Sequence, residues 1–178
     1  SRAARQARYP ARFQLVAAMN PCPCGWSGAF AATGRTCRCS PDAVSRYQSR
    51  LSGPLLDRID MLVEVPAVRP AELLAAADVE SSAEVALRVA RAQAVQRDRQ
   101  GSLNARLDAG ALDRHCALSA PATQFIRAAA ERLNWSGRSL HRVIKLARSV
   151  ADLAASSEIE VPHIAEAVHY RRALGPSV

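Results

Sequence analysis

Apolar positions change their rhythm near Pro66. Ahead of it, Phe13 to Met19 (FQLVAAM) is a nearly continuous apolar run of strand length, the pattern of a buried central strand. A loop rich in Pro, Cys and Gly follows from Asn20 to Ser40. Ser40-Pro41-Asp42 reads as a helix start: Ser at the N-cap, Pro at the first helical position, an acid in the first turn. That helix is expected to run to about Leu51, where Ser52-Gly53-Pro54 ends it. Ile59 to Val65 (IDMLVEV) predicts a second strand, stopped by Pro66.

Beyond Pro66 the period becomes helical. Ser81-Ser82-Ala83-Glu84 has the form of a capping box and opens a helix to about Arg99, broken by Gln100-Gly101-Ser102. Asp108 caps a short helix to about Cys116, and Ser119-Ala120-Pro121 opens another to about Leu133. Ser136 caps a long helix to about Ala155, with Leu140, Ile144, Ala147, Val150 and Ala151 on one face. Val161-Pro162 begins the last, to about Leu174. The pattern divides the chain into residues 1–66, the end of an α/β layer, and residues 67–178, a helical bundle. Two strands do not make a stable sheet alone. The front part is therefore expected to complete an incomplete parallel sheet against further chain.

Composition supports the helical reading. Ala and Leu fill most apolar positions, and only 4% of residues are aromatic. No apolar stretch approaches the roughly 20 residues of a membrane span. The basic start, Ser1 to Arg8, has no apolar segment of signal-peptide type. The expected location is the cytoplasm, without a membrane partner. The net charge is +8, carried by arginine apart from Lys145. Such an excess suits a polyanion such as nucleic acid. It is equally what a GC-rich genome writes when it uses arginine for lysine. An acidic membrane surface is a weaker third reading.

Four of the five cysteines fall within 18 residues: Cys22-Pro23-Cys24, twelve residues, then Cys37-Arg38-Cys39. In a chain without a secretory leader such a cluster reads as a metal site before it reads as disulfides. Four thiolates suit a tetrahedral zinc with every position filled, which is structural rather than catalytic. An iron-sulfur cluster and unligated thiols are the other readings. Cys116, among Ala and Leu, reads as core.

Single residues say less. Asn20, at the end of the first expected strand, is placed to orient a water or phosphate, although such an amide is more often a loop cap. Arg58, in Leu55-Leu56-Asp57-Arg58-Ile59-Asp60, reads by itself as an ion-paired surface arginine. Arg138 falls in the first turn of the long helix, where a cation is mildly disfavoured unless it serves an anion. His115, His141, His163 and His169 lack ligand spacing. No Ser-His-Asp set and no G-x-x-x-x-G-K-[ST] phosphate loop is present, so the chain cannot cradle a triphosphate unaided.

Taken in order, these segments resemble one family. Tyr9 to Pro21 (YPARFQLVAAMNP) looks like the pre-sensor and sensor 1 stretch of the magnesium-chelatase-like AAA+ ATPases, in their ComM-type subfamily linked to competence and branch migration. Ser52 to Asp60 (SGPLLDRID) resembles the arginine-finger segment, Ser136 to Leu153 the sensor 2 helix, and Val161 to Arg171 the closing lid helix. The resemblance covers essentially the whole chain, with residues 67–135 least distinctive. It implies the α/β end of an AAA+ core followed by an all-α lid. It makes Asn20 the sensor 1 residue orienting the attacking water. Arg58 becomes the finger reaching a neighbouring subunit's ATP, and Arg138 the sensor 2 contact to the γ-phosphate. It further implies ATP and Mg, a ring of identical subunits (a hexamer), and DNA met by Arg2, Arg5 and Arg8 on a pore hairpin. The Walker A and B motifs would lie in preceding chain, so this portion alone would be inactive.

Three functions stay open from the sequence. One is a DNA-remodelling motor; a second is a chelatase-type motor that inserts a metal into a porphyrin. The third is a zinc-dependent nucleic-acid-binding module, which leaves Arg58 and the lid helices unexplained.

Overall fold

The computed structural model describes residues 9–10, 13–28, 34–69, 71 and 80–172. The chain forms two compact units, residues 1–50 and 51–178.

In the first unit the described regular element is α1 (Pro41–Gln48). The Ser40 side chain accepts from the Ala43 N–H and Pro41 needs no donor there, as the sequence predicts. The helix stops earlier than expected, at Ser49, whose N–H and hydroxyl both turn back to the last turn. Phe13 to Asn20 is not a strand. It has no ladder partner among the described residues, and Phe13 and Val16 are 78% and 84% exposed. The correction has a simple cause: a strand is completed by a neighbour that receives its backbone hydrogen bonds, and apolar content cannot supply one.

The second unit begins with a departure from expectation. Ser52-Gly53-Pro54 does not merely end a helix; it starts the one-turn helix α2 (Gly53–Leu56), with Ser52 capping the Leu55 N–H. The same residue types that break one helix are those that cap the next. Ile59 to Val65 likewise pairs with no strand among the described residues. Instead the Leu62 N–H donates to the Tyr170 carbonyl at 2.9 Å. No sheet is present among the described residues, so the expected α/β layer is not seen; what is seen is helical.

Among the described residues five further α-helices follow: α3 (Ser82–Gln100), α4 (Ala109–His115), α5 (Ala120–Arg132), α6 (Gly137–Leu153) and α7 (Val161–Arg172). A single 3-10 turn, Asn104–Arg106, joins α3 to α4. The expected helix termini hold to within a residue or two, because the caps were legible: Ser81, Asp108, Ser119 and Ser136 each accept from the backbone N–H three residues on. The Ser81–Glu84 capping box is complete, the Glu84 carboxylate receiving the Ser81 N–H at 2.7 Å. That backbone hydrogen bond, and then the Ser81 hydroxyl, hold the Glu84 carboxyl below its ordinary range. Leu174, the expected end of α7, lies outside the described residues.

α6 is the axis of the unit; α3, α4, α7 and the 3-10 turn pack on it, and α5 packs on α7. The core gathers Leu107, Leu112, Cys116, Ile126, Val143, Ile159 and Ile164 around the alanines of α6 and α7. Each full aliphatic burial there contributes about 1.5–3 kcal/mol. A two-way backbone exchange pins the starts of α5 and α7 together: Ser119 N–H to the Ile159 carbonyl and Ile159 N–H to the Ala117 carbonyl, at 3.1 and 3.0 Å. The buried stripe of α6 is rotated from the expected one. It runs Ser139, Val143, Ala147, Ala151, and it also takes in Arg148 and Asp152.

Those two polar residues are the anchor of a network. The Asp152 carboxylate receives Arg148 Nε at 3.0 Å, Arg99 Nη1 at 2.7 Å and Asn104 Nδ2 at 2.8 Å. Arg148 spends its other donors on the Ser156 and Ser157 carbonyls just past the end of α6. Asn104 is held in turn by Gln96, Gln100, Arg99 and Ser149. No buried side-chain N or O among the described residues lacks a partner. Burial works to raise the Asp152 pKa, but the Arg99 and Asn104 hydrogen bonds and the two positive charges outweigh it and hold it below the ordinary value. Burial depresses the pKa of Arg148, which is 1% exposed.

The helix ends carry one strained position. α5 and α6 both close in the six-to-one, five-to-two hydrogen-bond pattern of a Schellman cap. The left-handed residue is Asn134 (φ 49°) in one and Ala155 (φ 55°) in the other. Asn tolerates this region; Ala does not.

Two outcomes follow from this packing. Ala155→Gly should raise the unfolding free energy by about 0.5–1 kcal/mol, read from denaturant melts, since it removes the left-handed penalty less the glycine entropy cost. Asp152→Asn should lower it by about 3–5 kcal/mol, because it strands two guanidiniums. The contribution of a depressed carboxyl is fully present above its unfolded value of about 3.9 and is lost as pH falls through the lower folded value. Stability of the wild type should therefore drop more steeply below about pH 4 than that of the Asn variant. Parallel acid profiles would refute the assignment.

Candidate functional site

The cysteine loop is built by its turns. After Cys22 the chain reverses within three residues, closed by the Gly25 N–H on the Cys22 carbonyl at 3.0 Å. Gly25 sits at φ +81°, where a side chain is strained. Cys37 and Cys39 lie beside the first pair, and α1 begins directly after them with Ser40 as its cap. Gln48, at the far end of α1, donates to the Pro21 carbonyl at 3.2 Å and ties the helix to the loop entrance. Arg35 stacks on the Trp26 ring at 4.5 Å.

The result is four thiols in one place. Cys22, Cys24 and Cys37 have sulfur separations of 3.4, 3.6 and 3.7 Å, and all four sulfurs lie within 4.8 Å of one another. The thiols are free, not paired as disulfides. A tetrahedral zinc with bonds of about 2.3 Å requires sulfurs about 3.8 Å apart, so the donor set fits such an ion. Electrostatics agrees. Backbone hydrogen bonds from Arg38 and Trp26 lower the Cys24 pKa to about 6. Cys39 gains a backbone hydrogen bond from Cys24, yet its contact with the Cys24 side chain, burial and the other thiols push it up to about 12. Four sulfurs at this distance do not all ionise unless a positive charge sits among them.

Asn20 lies just before this loop and is exposed, its amide close to Gly25. Arg2, Arg5 and Arg8 fall outside the described residues.

In the second unit the two other arginines sit on connected pieces. Arg58 follows α2, exposed, with its Nη1 on the Pro54 carbonyl at 2.6 Å. Arg138 is exposed in the first turn of α6, just after its Ser136 cap. One turn further along α6, Arg142 donates from Nη1 to the Arg58 carbonyl at 2.8 Å and to the Asp60 carboxylate. From α7, the buried Arg171 donates to the Ile59 carbonyl at 2.9 Å. Burial, then the charge of Arg142, lower the Arg171 pKa. The residues 58–62 are thus laced to α6 and α7 through Arg142, Arg171 and Tyr170. Sequence reasoning missed Arg142 and Arg171. The available signal was spacing: Arg142 stands four residues after Arg138, on the same side of one helix.

No helix among the described residues is long and apolar enough to cross a membrane. Residues 79–171 match the family described as magnesium chelatase, subunit ChlI C-terminal, and residues 1–73 match magnesium chelatase, subunit ChlI. The chain is similar to a Haemophilus influenzae protein named Competence protein ComM, at 42% identity over 96% of this chain and 33% of that protein. It is 42% identical to the uncharacterised protein YifB of Escherichia coli over 96% of this chain and 33% of that protein. An uncharacterised protein of Mycobacterium tuberculosis is 39% identical over 92% of this chain and 32% of its own length. The chain spans about a third of the length of these curated relatives. Both stretches of match, one on each side of residues 74–78, carry the same name, and the chain belongs to the magnesium chelatase subunit ChlI family.

Proposed function

We propose that this chain is the C-terminal portion of an ATP-dependent DNA-remodelling motor of AAA+ type, acting as a ring of identical subunits in the cytoplasm. The observation that carries the reading is the likeness to Competence protein ComM along 96% of the chain. Residues 1–66 would close the ATPase core and residues 67–178 would form its lid. The remaining chain would bring the Walker motifs and Mg.

Within that scheme each residue has a physical task. Asn20 fixes the attacking water by hydrogen bonding. Arg58 enters the neighbouring subunit's site and offsets charge that develops on the transferred phosphoryl group; fingers of this kind are worth about 10³–10⁵ in rate in GTPases. Arg138 contacts the γ-phosphate from the start of α6, where the helix N-terminus also favours an anion. Arg2, Arg5 and Arg8 meet DNA phosphates, a contact that weakens steeply with salt.

Cys22, Cys24, Cys37 and Cys39 would hold one zinc. A closed four-thiolate site supplies no open position for chemistry, only the order of a loop poor in apolar residues. Sulfurs this close favour one ion over a multi-iron cluster, which spreads its ligands.

A chelatase-type motor is favoured by one observation, the family name that both halves of the chain match. The distinguishing experiment is ATP hydrolysis by the protein expressed from the intact reading frame, with and without branched DNA. Strong stimulation is expected. Hydrolysis indifferent to DNA would move the assignment to chelatase-like chemistry, and none at all would leave a zinc-bearing binding module.

In the same protein, Arg58→Ala should lose about 10³-fold or more in turnover and keep ATP binding; normal hydrolysis would refute the finger. Metal analysis should find one zinc per chain, absent from Cys37→Ser. A folded, metal-free wild type would end the zinc assignment.

A further inference from the structure

The Arg58 segment is tied to α6 and α7 as well as to its own turn. Arg58 itself leans on the Pro54 carbonyl within its own turn. The Arg58 and Ile59 N–H groups turn back to the Leu55 and Leu56 carbonyls; among the described residues, the hydrogen bonds that reach the segment from farther along the chain come from α6 and α7. Arg142 grips it twice, at the Arg58 carbonyl and at the Asp60 carboxylate. Arg171 grips the Ile59 carbonyl, and the Tyr170 carbonyl takes the Leu62 N–H. The segment also belongs to the same compact unit as the helical bundle, which begins at Leu51. The Arg142 side chain is 22% exposed and that of Asp60 is 68% exposed, so the charged contact sits at the surface and contributes little to core stability. Its geometric effect is larger than its energetic one. A guanidinium bridging a main-chain carbonyl and a carboxylate two residues later fixes the direction of the chain at Arg58.

We propose that Arg142 is a positioning residue that fastens the Arg58 segment to the helix bearing Arg138, so that finger and γ-phosphate sensor move as one rigid piece. This rests on the finger reading of Arg58. Its consequence is directional. The lid reads the nucleotide state at one site through Arg138. The same helix, through Arg142, sets the aim of Arg58 toward another. A change in lid position in one subunit is thereby delivered as a change in rate next door, without passing through the sheet of the core.

The test uses the full-length protein with ATP and DNA. Arg142→Gln is expected to lower kcat by about 10²-fold, the cost of misplacing a catalytic group by about 1 Å. ATP affinity should be unchanged, since Arg142 touches no nucleotide in this scheme. Asp60→Asn should move kcat the same way by less, with an unchanged Tm; its mostly solvent-exposed side chain makes loss of folding no explanation. In combination with Arg58→Ala, either change should add nothing to the residual rate, because a finger that is absent needs no aiming. Wild-type kcat in both Arg142→Gln and Asp60→Asn, beside a dead Arg58→Ala, would overturn the fastening and leave the finger standing. Further loss on top of Arg58→Ala would also overturn it. Normal turnover in Arg58→Ala would remove the finger reading and this proposal with it. If Arg142→Gln does not fold, Asp60→Asn and its double variant decide alone.

Discussion

One buried carboxylate holds the helical unit in register. Asp152 lies under two guanidiniums and an amide that arrive from α6 itself, from the end of α3 and from the 3-10 turn. A core of alanine and short aliphatic residues offers few large side chains to interlock, and interior alanines leave helices free to slide on one another. The ionic network removes that freedom. It fixes where α3 ends, where the 3-10 turn sits and, through Arg148 on the Ser156 and Ser157 carbonyls, how the chain leaves α6. Buried ion pairs are weak sources of stability compared with apolar packing, and strong determinants of geometry. Here geometry is what the unit supplies: α6 carries Arg138 in its first turn and Arg142 a turn later.

Much of this was legible in the sequence because helix ends are local. Ser81, Asp108, Ser119 and Ser136 act on N–H groups three residues away, so their pattern needs no knowledge of the fold. The cysteine spacing was legible for the same reason: turn residues between close ligands announce convergence. Tertiary pairing was not. Phe13 to Met19 and Ile59 to Val65 have strand composition, but a ladder is a property of two segments, and none forms among the described residues. The polar side of α6 was also hidden. Arg148 and Asp152 look like solvent-facing charges by type, and only Arg99 and Asn104, some fifty residues earlier in the chain, turn them inward.

Ser52-Gly53-Pro54 shows a different limit. Read forward it ends α1; in the structure it begins α2. Both readings use the same physics, since a residue that cannot continue one helix is pre-shaped to open the next. The consequence for the site is specific. The one-turn helix α2 delivers Arg58 at its end, and the cap that starts it sets the orientation of that end.

The bare extended segment Phe13 to Met19 has a consequence for how this polypeptide behaves in solution. Phe13, Leu15 and Val16 are exposed there, and the segment has no ladder partner among the described residues. Backbone left without a ladder beside exposed apolar side chains is the kind of edge at which one copy of a chain can pair with another.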